Sequence, residues 1–271
     1  MTDEEFKPLI MGVVNVTPDS FSDGGEFIDV DKAIAHGLKL LEEGADILDI
    51  GGESTRPGAK AVSLEEEQNR ILPVIKGIKD QATDAVISVD TRNADTMKRA
   101  IGAGADIIND VSALTHDKEA LDVVASAENV SVMLMHMQGT PETMQDKPTY
   151  DNVVDEVYAY LEGRIEVCES AGIERDRIAV DPGIGFGKSL EDNLELLKNL
   201  HKFHELGCAV LLGVSRKSFI EKIVPDTPTD ERLAGSIAAA IQGLEEGVQI
   251  FRVHDVKETK QAFAVWQAMQ G

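Results

Sequence analysis

Polar side chains recur along this chain directly after short apolar runs, at the places where a strand would end and a loop would begin. These positions are Asn15, 52–54, Asp90, Asn109 with Asp110, His136, Asp181, Ser215 and His254. Parallel strands need an apolar interior, and chemistry gathers at their carboxyl ends. The spacing therefore predicts that these polar side chains converge on one active site.

Two carboxylates and one amide are the most informative of these residues. Asp90 stands in Ser-Val-Asp-Thr, Asn109 in Ile-Ile-Asn-Asp, and Asp181 follows Ile-Ala-Val. Carboxylates accept hydrogen bonds, whereas an amide both donates and accepts them, so the trio suits a heterocycle with adjacent N–H and C=O groups. A metal cluster is the alternative, but it would use more carboxylates or histidines, and Asn109 is a poor substitute for them.

The cationic candidates follow the last two apolar runs. Ser-Arg-Lys-Ser occupies 215–218, and Arg-Val-His-Asp occupies 252–255. Alternation along a strand places Arg252 and His254 on one side, where a guanidinium and an imidazole could together bind phosphate oxygens. Lys217 could do the same, or contact a carbonyl or a ring nitrogen. For Arg252, a surface ion pair with a helix carboxylate is the alternative.

A glycine-rich segment, Asp-Pro-Gly-Ile-Gly-Phe-Gly-Lys, occupies 181–188. Its glycines would let the backbone approach a flat or phosphorylated ligand closely. The segment lacks the Ser or Thr that a phosphate-binding P-loop carries after its lysine. We therefore favour recognition of a ligand by the Asp181 carboxylate. Two alternatives stay open, namely a phosphate cradle and an aspartate that only caps its loop.

Two further loops are rich in Pro, Gly, Ser and Thr. Asn15 precedes the first, 17–25, and its side-chain oxygen is a hard ligand that suits Mg²⁺ shared with diphosphate oxygens. The second, 54–62, contains Thr-Arg-Pro-Gly. Such loops can close over a substrate, although the first also fits ordinary turn chemistry.

The elements that must position these residues alternate regularly. Eight strand-like runs are separated by stretches with helical periodicity, near 31–43, 64–80, 93–102, 118–127, 152–171, 189–205, 229–246 and 256–269. Several helical stretches are followed by a Gly-containing turn, which suits a left-handed helix end. The pattern predicts an α/β fold, a TIM (β/α)8 barrel, as a single domain over 1–271. An open doubly wound sheet is the alternative, and the count of eight favours closure.

Composition limits the classes of partner. The chain has 271 residues, 42% of them hydrophobic, and a formal charge of −23 from 49 acidic and 26 basic residues. This charge disfavours nucleic acid and anionic membranes, although it would also fit a salt-adapted source. We find no apolar run of the roughly 20 residues that a membrane span needs, and no signal peptide. Two cysteines without metal spacing suit a reducing cytoplasm.

Taken together, the motifs resemble the dihydropteroate synthase family over nearly the whole chain. The matching segments lie in order at 11–25, 51–58, 88–91, 181–188, 215–220 and 252–255. The resemblance implies a TIM barrel, usually a homodimer, that condenses 6-hydroxymethyl-7,8-dihydropterin diphosphate with 4-aminobenzoate to give 7,8-dihydropteroate and diphosphate. It also implies that sulfonamides compete with the amine.

The resemblance assigns roles to individual residues. Those that would bind the pterin are Asp90, Asn109, Asp181, Phe186 and Lys217. Those that would bind the diphosphate are Asn15, Thr55, Arg252 and His254, with Asn15 also a ligand of Mg²⁺. Those near the aminobenzoate would be Phe21, Arg56, Pro57, Lys217 and Ser218. The catalytic set would be Asp90, Asp181, Lys217, Arg252 and His254.

The implied chemistry needs no covalent nucleophile. Diphosphate would leave first, and the resulting pterin cation would be favoured by anionic Asp90 and Asp181 before the amine attacks. We therefore expect neither a Ser–His nor a Cys–His pair at the site.

Three other functions fit part of the pattern. They are a pterin-binding methyltransferase domain, a degenerate pterin-binding subunit, and a barrel aldolase with Lys217 as its Schiff-base lysine. The first needs no diphosphate site, which Arg252 and His254 argue against, and the second should have lost part of the motif set.

Overall fold

Eight parallel strands form a closed barrel in the computed structural model, which describes residues 7–17, 29–53, 62–140, 144 and 148–270. Each strand pairs with the next along the chain, and the first pairs with the last. The strands are β1 (Leu9–Asn15), β2 (Ile47–Gly51), β3 (Val86–Asp90), β4 (Ile107–Asp110), β5 (Ser131–Met135), β6 (Ile178–Asp181), β7 (Ala209–Gly213) and β8 (Ile250–Val253). The predicted closed barrel is confirmed, and the open sheet is excluded.

Helices follow every strand, as the alternation predicts. They are α1 (Val30–Glu43), α2 (Leu64–Gln81), α3 (Ala94–Ala103), α4 (Ala120–Ala125), α5 (Val153–Ser170), α6 (Leu190–Lys198), α7 (Ser218–Ile223), α8 (Leu233–Glu245) and α9 (Val256–Gln270). Within the described ranges, no helix is long and apolar enough to span a membrane.

The structure differs from the predicted helices in two places. The stretch predicted at 189–205 ends as an α-helix at Lys198, and Leu200–Leu206 continues as a 3-10 helix. At the junction, the amide of Asn199 donates to the carbonyl of Glu195 at 2.8 Å, and such side-chain bonds compete with helix continuation. Helix α7 was not predicted, because six residues are too short to show a periodic pattern.

The barrel has two apolar layers. The larger layer consists of side chains between the strands and the helices. The smaller layer fills the barrel interior near its base and consists of Met11, Ile47, Ile107, Met133, Ala179, Leu211 and Ile250. Because side chains alternate along a strand, residues two or four positions further on also face the interior, nearer the carboxyl ends. These positions are occupied by Val13, Asn15, Asp49, Gly51, Asn109, Met135, Asp181, Gly213 and Arg252. On β3, Asp90 has the corresponding position, two residues after Ser88. The interior side chains thus change from apolar to mostly polar along the barrel axis.

The base of the barrel is held by structural polar contacts. Lys79 donates to the carbonyl of Ala85 at 2.8 Å and to Asp106 at 2.9 Å, and Asp106 also accepts the N–H of Ile87 at 2.9 Å. This lysine–carboxylate pair lies at the amino ends of β3 and β4, opposite the predicted site.

Candidate active site

The strand-end carboxylates and amide lie together at the mouth of the barrel. Asp90 and Asn109 are direct partners in the register of β3 and β4, and Asp181 ends β6. All three side chains are buried, with 8%, 5% and 6% of their surface exposed. The convergence expected from the sequence is therefore present, with the side chains shielded from bulk water.

Arg252 lies between two buried carboxylates of the barrel interior. Its Nε atom is 2.6 Å from Oδ2 of Asp49, and its Nη2 atom is 3.0 Å from Oδ2 of Asp90. The alternative that Arg252 forms a surface ion pair with a helix carboxylate is wrong, because both partners are on strands. Val253 packs in the outer core, so Arg252 and His254 share the opposite side as predicted.

Asp49 is a site residue that the sequence analysis did not identify. It is fully buried, and besides Arg252 it accepts hydrogen bonds from Ser88 at 2.7 Å and from the amide of Asn109 at 3.3 Å. The available signal was an aspartate inside the apolar run Ile-Leu-Asp-Ile, two residues after the inward-facing Ile47. A mid-strand charge in a buried strand indicates a partner inside the barrel.

Burial and neighbouring charges shift the ionisation of this cluster. Burial raises the pKa of Asp90 to about 7, and Asp49 adds to this, although the charge of Arg252 opposes it. Burial by itself would lower the pKa of Arg252, but the carboxylates of Asp49 and Asp90 hold it above its usual value. Arg252 therefore stays cationic, while Asp90 titrates near neutral pH.

Lys217 and Asp181 form a second charged group across the mouth. The ammonium of Lys217 donates to the carbonyl of Ile184 and lies 4.7 Å from the centre of the Phe186 ring. Burial lowers the pKa of Lys217 to about 8, and the charge of Asp181 opposes this. Burial raises the pKa of Asp181, and Lys217 opposes that shift in turn. The two side chains thus support each other's charged forms.

Asp181 also caps its own loop, since Oδ1 accepts the N–H of Gly183 at 2.7 Å. Its other oxygen, Oδ2, faces the mouth. A Cβ atom placed on Gly213 would lie 4.0 Å from that oxygen, 3.6 Å from Nζ of Lys217 and 3.9 Å from Cβ of Arg252. The capping interpretation and the binding interpretation of Asp181 are therefore compatible. The carboxylate of Asp181, the ammonium of Lys217 and the stem of Arg252 thus converge in front of position 213, which carries no side chain.

The ends of β7 and β8 are tied to each other. The guanidinium of Arg216, which has a positive φ of 57°, binds both carboxylate oxygens of Asp255. The hydroxyl of Ser215 accepts the backbone N–H of His254 at 3.1 Å and lies 3.0 Å from its Nδ1 atom. These contacts fix the turn that carries Lys217.

The Ser215–His254 contact corrects the expectation that no Ser–His pair is present. Ser215 is only 8% exposed, and its hydroxyl is engaged by both the backbone and the ring of His254. A nucleophile must reach the reacting atom. The pair therefore orients the imidazole.

The remaining predicted site residues divide into two groups. Asn15 ends β1 opposite Gly51 and is partly exposed at the mouth, and Ser218 is exposed at the start of α7. Four others lie outside the described residues, namely Phe21, Thr55, Arg56 and Pro57. Their assigned roles stay predictions.

Magnesium fits the donor chemistry of Asn15. Among the described residues, no group of three or more His, Cys, Asp or Glu side chains is arranged as a metal site. Mg²⁺ keeps several waters and is commonly held by one or two protein oxygens plus substrate phosphates. A single amide oxygen at the mouth, at the end of the strand that pairs with β8, is compatible with that mode of binding.

His136 and Lys188 form a buried pair next to the mouth, with Nζ of Lys188 at 3.0 Å from Nδ1 of His136. Burial and the charge of Lys188 lower the pKa of His136 to about 3, so its ring is neutral and is held in the mouth wall. Lys188 is 1% exposed and donates to carbonyls of its own loop. A lysine turned inward does not suit a phosphate cradle at 181–188, which was one alternative for this segment.

Comparisons with known proteins agree with this arrangement. A family described as pterin binding enzyme matches residues 11–254. The dihydropteroate synthase of Haemophilus influenzae is 48% identical, over 96% of this chain and 94% of that protein. That of Neisseria meningitidis serogroup B is 49% identical, over 97% and 93% of the two chains.

The solved structures that this chain resembles are also dihydropteroate synthases. Dihydropteroate synthase of Xanthomonas albilineans with 4-aminobenzoic acid has a TM-score of 0.91 and 50% identity, covering 98% of this chain and 94% of that one. The same enzyme in complex with 7,8-dihydropteroate has a TM-score of 0.88 and 47% identity, with the same coverage. The chain belongs to the dihydropteroate synthase family of pterin-binding enzymes.

Proposed function

We propose that this protein is a transferase that condenses 6-hydroxymethyl-7,8-dihydropterin diphosphate with 4-aminobenzoate, yielding 7,8-dihydropteroate and diphosphate in folate biosynthesis. The carrying observation is the convergence of Asp181 and Lys217 in front of Gly213, next to Arg252, whose guanidinium donates to Asp90. Solved relatives with 4-aminobenzoic acid and with 7,8-dihydropteroate support both the substrate and the product.

The pterin ring suits the buried part of the mouth. Its N–H groups are donors that match the carboxylate of Asp181, and its carbonyl and ring nitrogens are acceptors that match Lys217 and the amide of Asn109. Phe186 supplies an aromatic wall on the far side of Lys217. Asp181 and Asn109 are buried, so their hydrogen bonds discriminate strongly against a ring that lacks the matching atom.

The diphosphate suits the outer part of the mouth, where β1 and β8 end. His254 is held there by Ser215, and Asn15 offers an amide oxygen to Mg²⁺. When bound, the metal would neutralise the charge of the leaving diphosphate. Arg252 is shared with Asp49 and Asp90 in this structure, so it adds positive charge beneath the same region.

The reaction follows from these charges. The bond between the methylene carbon and the diphosphate oxygen breaks first, and its electron pair leaves with the diphosphate. The pterin cation that remains is favoured by anionic Asp181 and Asp90, which are preorganised in a site of low dielectric constant. The amine lone pair then forms the carbon–nitrogen bond, and the proton that the amine nitrogen loses passes to the departed diphosphate.

Diphosphate release tests the reaction directly. The purified protein is given the pterin diphosphate and Mg²⁺, and diphosphate is measured by a coupled assay with and without 4-aminobenzoate. Sustained release that requires the amine supports the synthase function. Binding of the pterin without turnover would favour the degenerate subunit or the methyltransferase. Borohydride trapping of Lys217 with a keto substrate would identify an aldolase instead.

Isotope migration tests the order of bond breaking. The pterin diphosphate is labelled with ¹⁸O in the oxygen that joins carbon to phosphorus and is incubated without the amine. Departure before attack predicts that recovered substrate carries label in non-bridging oxygens, because the ion pair can recombine through any of them. Label that stays in the bridge, together with amine-dependent cleavage, would contradict the cationic step.

Sulfonamides are expected to compete with 4-aminobenzoate at the outer mouth, near Lys217 and Ser218. A solved Yersinia pestis dihydropteroate synthase is in complex with a sulfonamide drug, at 42% identity and a TM-score of 0.91. Competition with the amine in steady-state kinetics supports the assignment of this pocket, and competition with the pterin would contradict it.

We also propose a cytoplasmic homodimer. An apolar groove between α8 and α9 supports the dimer, and it is lined by Ile237, Ile241, Ala262, Val265, Trp266 and Met269. Val265 and Met269 are 56% and 70% exposed, which is unusual for large apolar side chains that lie together. Cys168 and Cys208 are buried free thiols, which suits a reducing compartment.

A further inference from the structure

A wholly buried lysine lies directly behind the proposed pterin pocket. Lys188 is 1% exposed, yet its Nζ atom lies 2.9 Å from the carbonyl oxygen of Gly183, 3.0 Å from that of Phe186 and 3.3 Å from that of His136. It also lies 3.0 Å from Nδ1 of His136. The mechanism above gives this residue no task, and a lysine is rarely buried without one.

The acceptors around Lys188 are matched to an ammonium group. An ammonium has three donors and no acceptor, and every contact that it makes here is to an oxygen or nitrogen lone pair. Nδ1 of a neutral His136 can accept only if the ring proton is on Nε2. The lysine therefore joins the backbone after β5 to the loop after β6 through one buried amino group, whose pKa burial lowers to about 7.

The loop that Lys188 holds, 182–187, adopts a conformation with little freedom. Gly183 and Gly187 have positive φ values of 73° and 62°, in the left-handed region. A Cβ atom on Gly183 would lie 1.9 Å from the carbonyl oxygen of His136, and one on Gly187 would lie 2.5 Å from that of Gln138. The backbone after β5 and the loop 182–187 are thus in direct contact. Lys188 donates hydrogen bonds to carbonyl oxygens of both segments.

This loop in turn determines where Lys217 lies. The carbonyl of Ile184 accepts a hydrogen bond from Lys217, and the ring of Phe186 lies beneath the same ammonium. Lys188 binds the carbonyls of Gly183 and Phe186, so Ile184 lies between these two anchored carbonyls and Phe186 carries one of them. A displacement of the loop would therefore move both contacts of Lys217 at once.

We propose that Lys188 is a positioning residue for the pterin pocket, acting through its loop to hold Lys217 and Phe186 against the ring. This inference rests on the proposed function, because it assigns the task of the loop to pterin recognition. It also explains why the lysine of the 181–188 motif is turned inward, away from any phosphate.

The test compares Lys188→Met with Lys79→Met. Both changes remove an ammonium that bonds to backbone carbonyls, but Lys79 lies at the base of the barrel. We expect Lys188→Met to raise the KM for the pterin diphosphate about tenfold to a hundredfold, as the loss of a buried charged hydrogen bond implies. The KM for 4-aminobenzoate should change much less. Lys79→Met should leave both constants unchanged.

Hydrogen exchange supplies a readout that is independent of activity. Amides of 182–187 should exchange faster in Lys188→Met than in the wild type, whereas Lys79→Met should leave them unaffected. Unchanged exchange in this loop together with an unchanged KM would overturn the proposal, as would equal effects of the two variants. If the wild type formed no dihydropteroate, the proposed function would fail, while the exchange data would still report on the loop.

A milder change covers the case in which Lys188→Met does not fold. The hydroxyl of Tyr150 donates to the carbonyl of Gly187 at 2.6 Å and so holds the same loop from its other end. Tyr150→Phe retains the ring and removes this bond. We expect the KM for the pterin diphosphate to rise a few-fold, with faster exchange at 185–187. An unchanged KM and unchanged exchange in this variant would overturn the proposal.

Discussion

Asp90 is the carboxylate of the mouth whose charge depends most on the working pH. Its burial favours the neutral acid, and Arg252, at 3.0 Å, favours the anion. The balance leaves its pKa at about 7, while burial leaves the pKa of Lys217 at about 8. The proposed mechanism uses Asp90 as an anion and Lys217 as a cation. Both groups therefore titrate within the pH range in which the enzyme would work.

The first prediction concerns the pH profile of kcat/KM, which reports the free enzyme. It should rise through pH 7 as Asp90 ionises, and fall above pH 8 as Lys217 loses its proton. Asp90→Asn should lose the rising limb and keep the falling one. A rising limb that persists unchanged in the variant would assign it to another group, such as the substrate phosphates.

The second prediction concerns stability. The pKa of Asp90 in the folded protein is about 7, above the ordinary value of 3.8. The contribution of this carboxyl to the free energy of unfolding is therefore complete below pH 4 and is lost as pH rises through 7. Asn cannot ionise. The melting temperature of Asp90→Asn minus that of the wild type should therefore be larger at pH 8 than at pH 5. The increase should be roughly 2–4 °C for each kcal/mol by which ionisation of Asp90 destabilises the wild type. A relative melting temperature that falls with pH would contradict the assigned pKa.

Sequence reasoning identified the site residues that end a strand, because a polar residue after an apolar run is visible in one dimension. It missed Asp49, which lies inside a run and acts through Arg252, a residue 203 positions away. It noted Lys188 but did not predict the direction of its side chain, because that depends on carbonyls of β5 and of its own loop. Contacts distant in sequence carry no local signal.

At the scale of elements, the end of β7 combines a glycine with a strained turn. Gly213 leaves open the space between Asp181 and Lys217 in which we propose that the pterin binds, and Arg216, at φ 57°, precedes Lys217 in the turn. The turn is held by Asp255 and by the hydroxyl of Ser236, which accepts the N–H of Arg216 at 2.8 Å. A non-glycine residue persists in this conformation only where its surroundings enforce it.

The third prediction tests this space. Gly213→Ala would place a Cβ atom no closer than 3.6 Å to any neighbour, so the protein should fold normally. The methyl group would still occupy ligand space, and the KM for the pterin diphosphate should rise about tenfold or more, equivalent to ~1.4 kcal/mol. Gly102→Ala is the matched control, since a Cβ atom there meets nothing within 4 Å. An unchanged KM in Gly213→Ala would place the pterin elsewhere.

The eight strands were predictable because each is a short apolar run, and most helices were predictable because each carries a helical period. Helix α7 and the 3-10 helix Leu200–Leu206 were not, since they are short and depend on packing between β7 and its neighbours. The barrel itself was favoured by the count of strands, but closure is a pairing of β1 with β8, which lie at opposite ends of the sequence.

For the whole molecule, the strongly acidic surface leaves one large apolar face on the described helices. The groove between α8 and α9 contains Val265 and Met269. Of the other exposed apolar residues, Ile223 and Val224 form a neighbouring pair, while Val167 stands apart. Apolar area of this kind is commonly buried by a second copy across a two-fold axis.

The fourth prediction is that Val265→Asp disrupts the dimer. Light scattering should give twice 29.3 kDa for the wild type and 29.3 kDa for the variant at micromolar concentration. Val167→Asp, on α5 and 39% exposed, is the control and should remain dimeric. A wild type that is monomeric, or a variant that remains dimeric, would contradict the use of this face.

The most direct test of the account is dihydropteroate formation by the wild type, by Asp181→Asn and by Asp106→Asn. Asp106 matches Asp181 in bonding, because each accepts a backbone N–H and lies near a lysine, but it stands at the opposite end of the barrel. The account predicts product in the wild type and in Asp106→Asn, and at least a hundredfold loss of kcat/KM in Asp181→Asn, or ~2.7 kcal/mol. Equal activity of the two variants, or no product in the wild type, would contradict it.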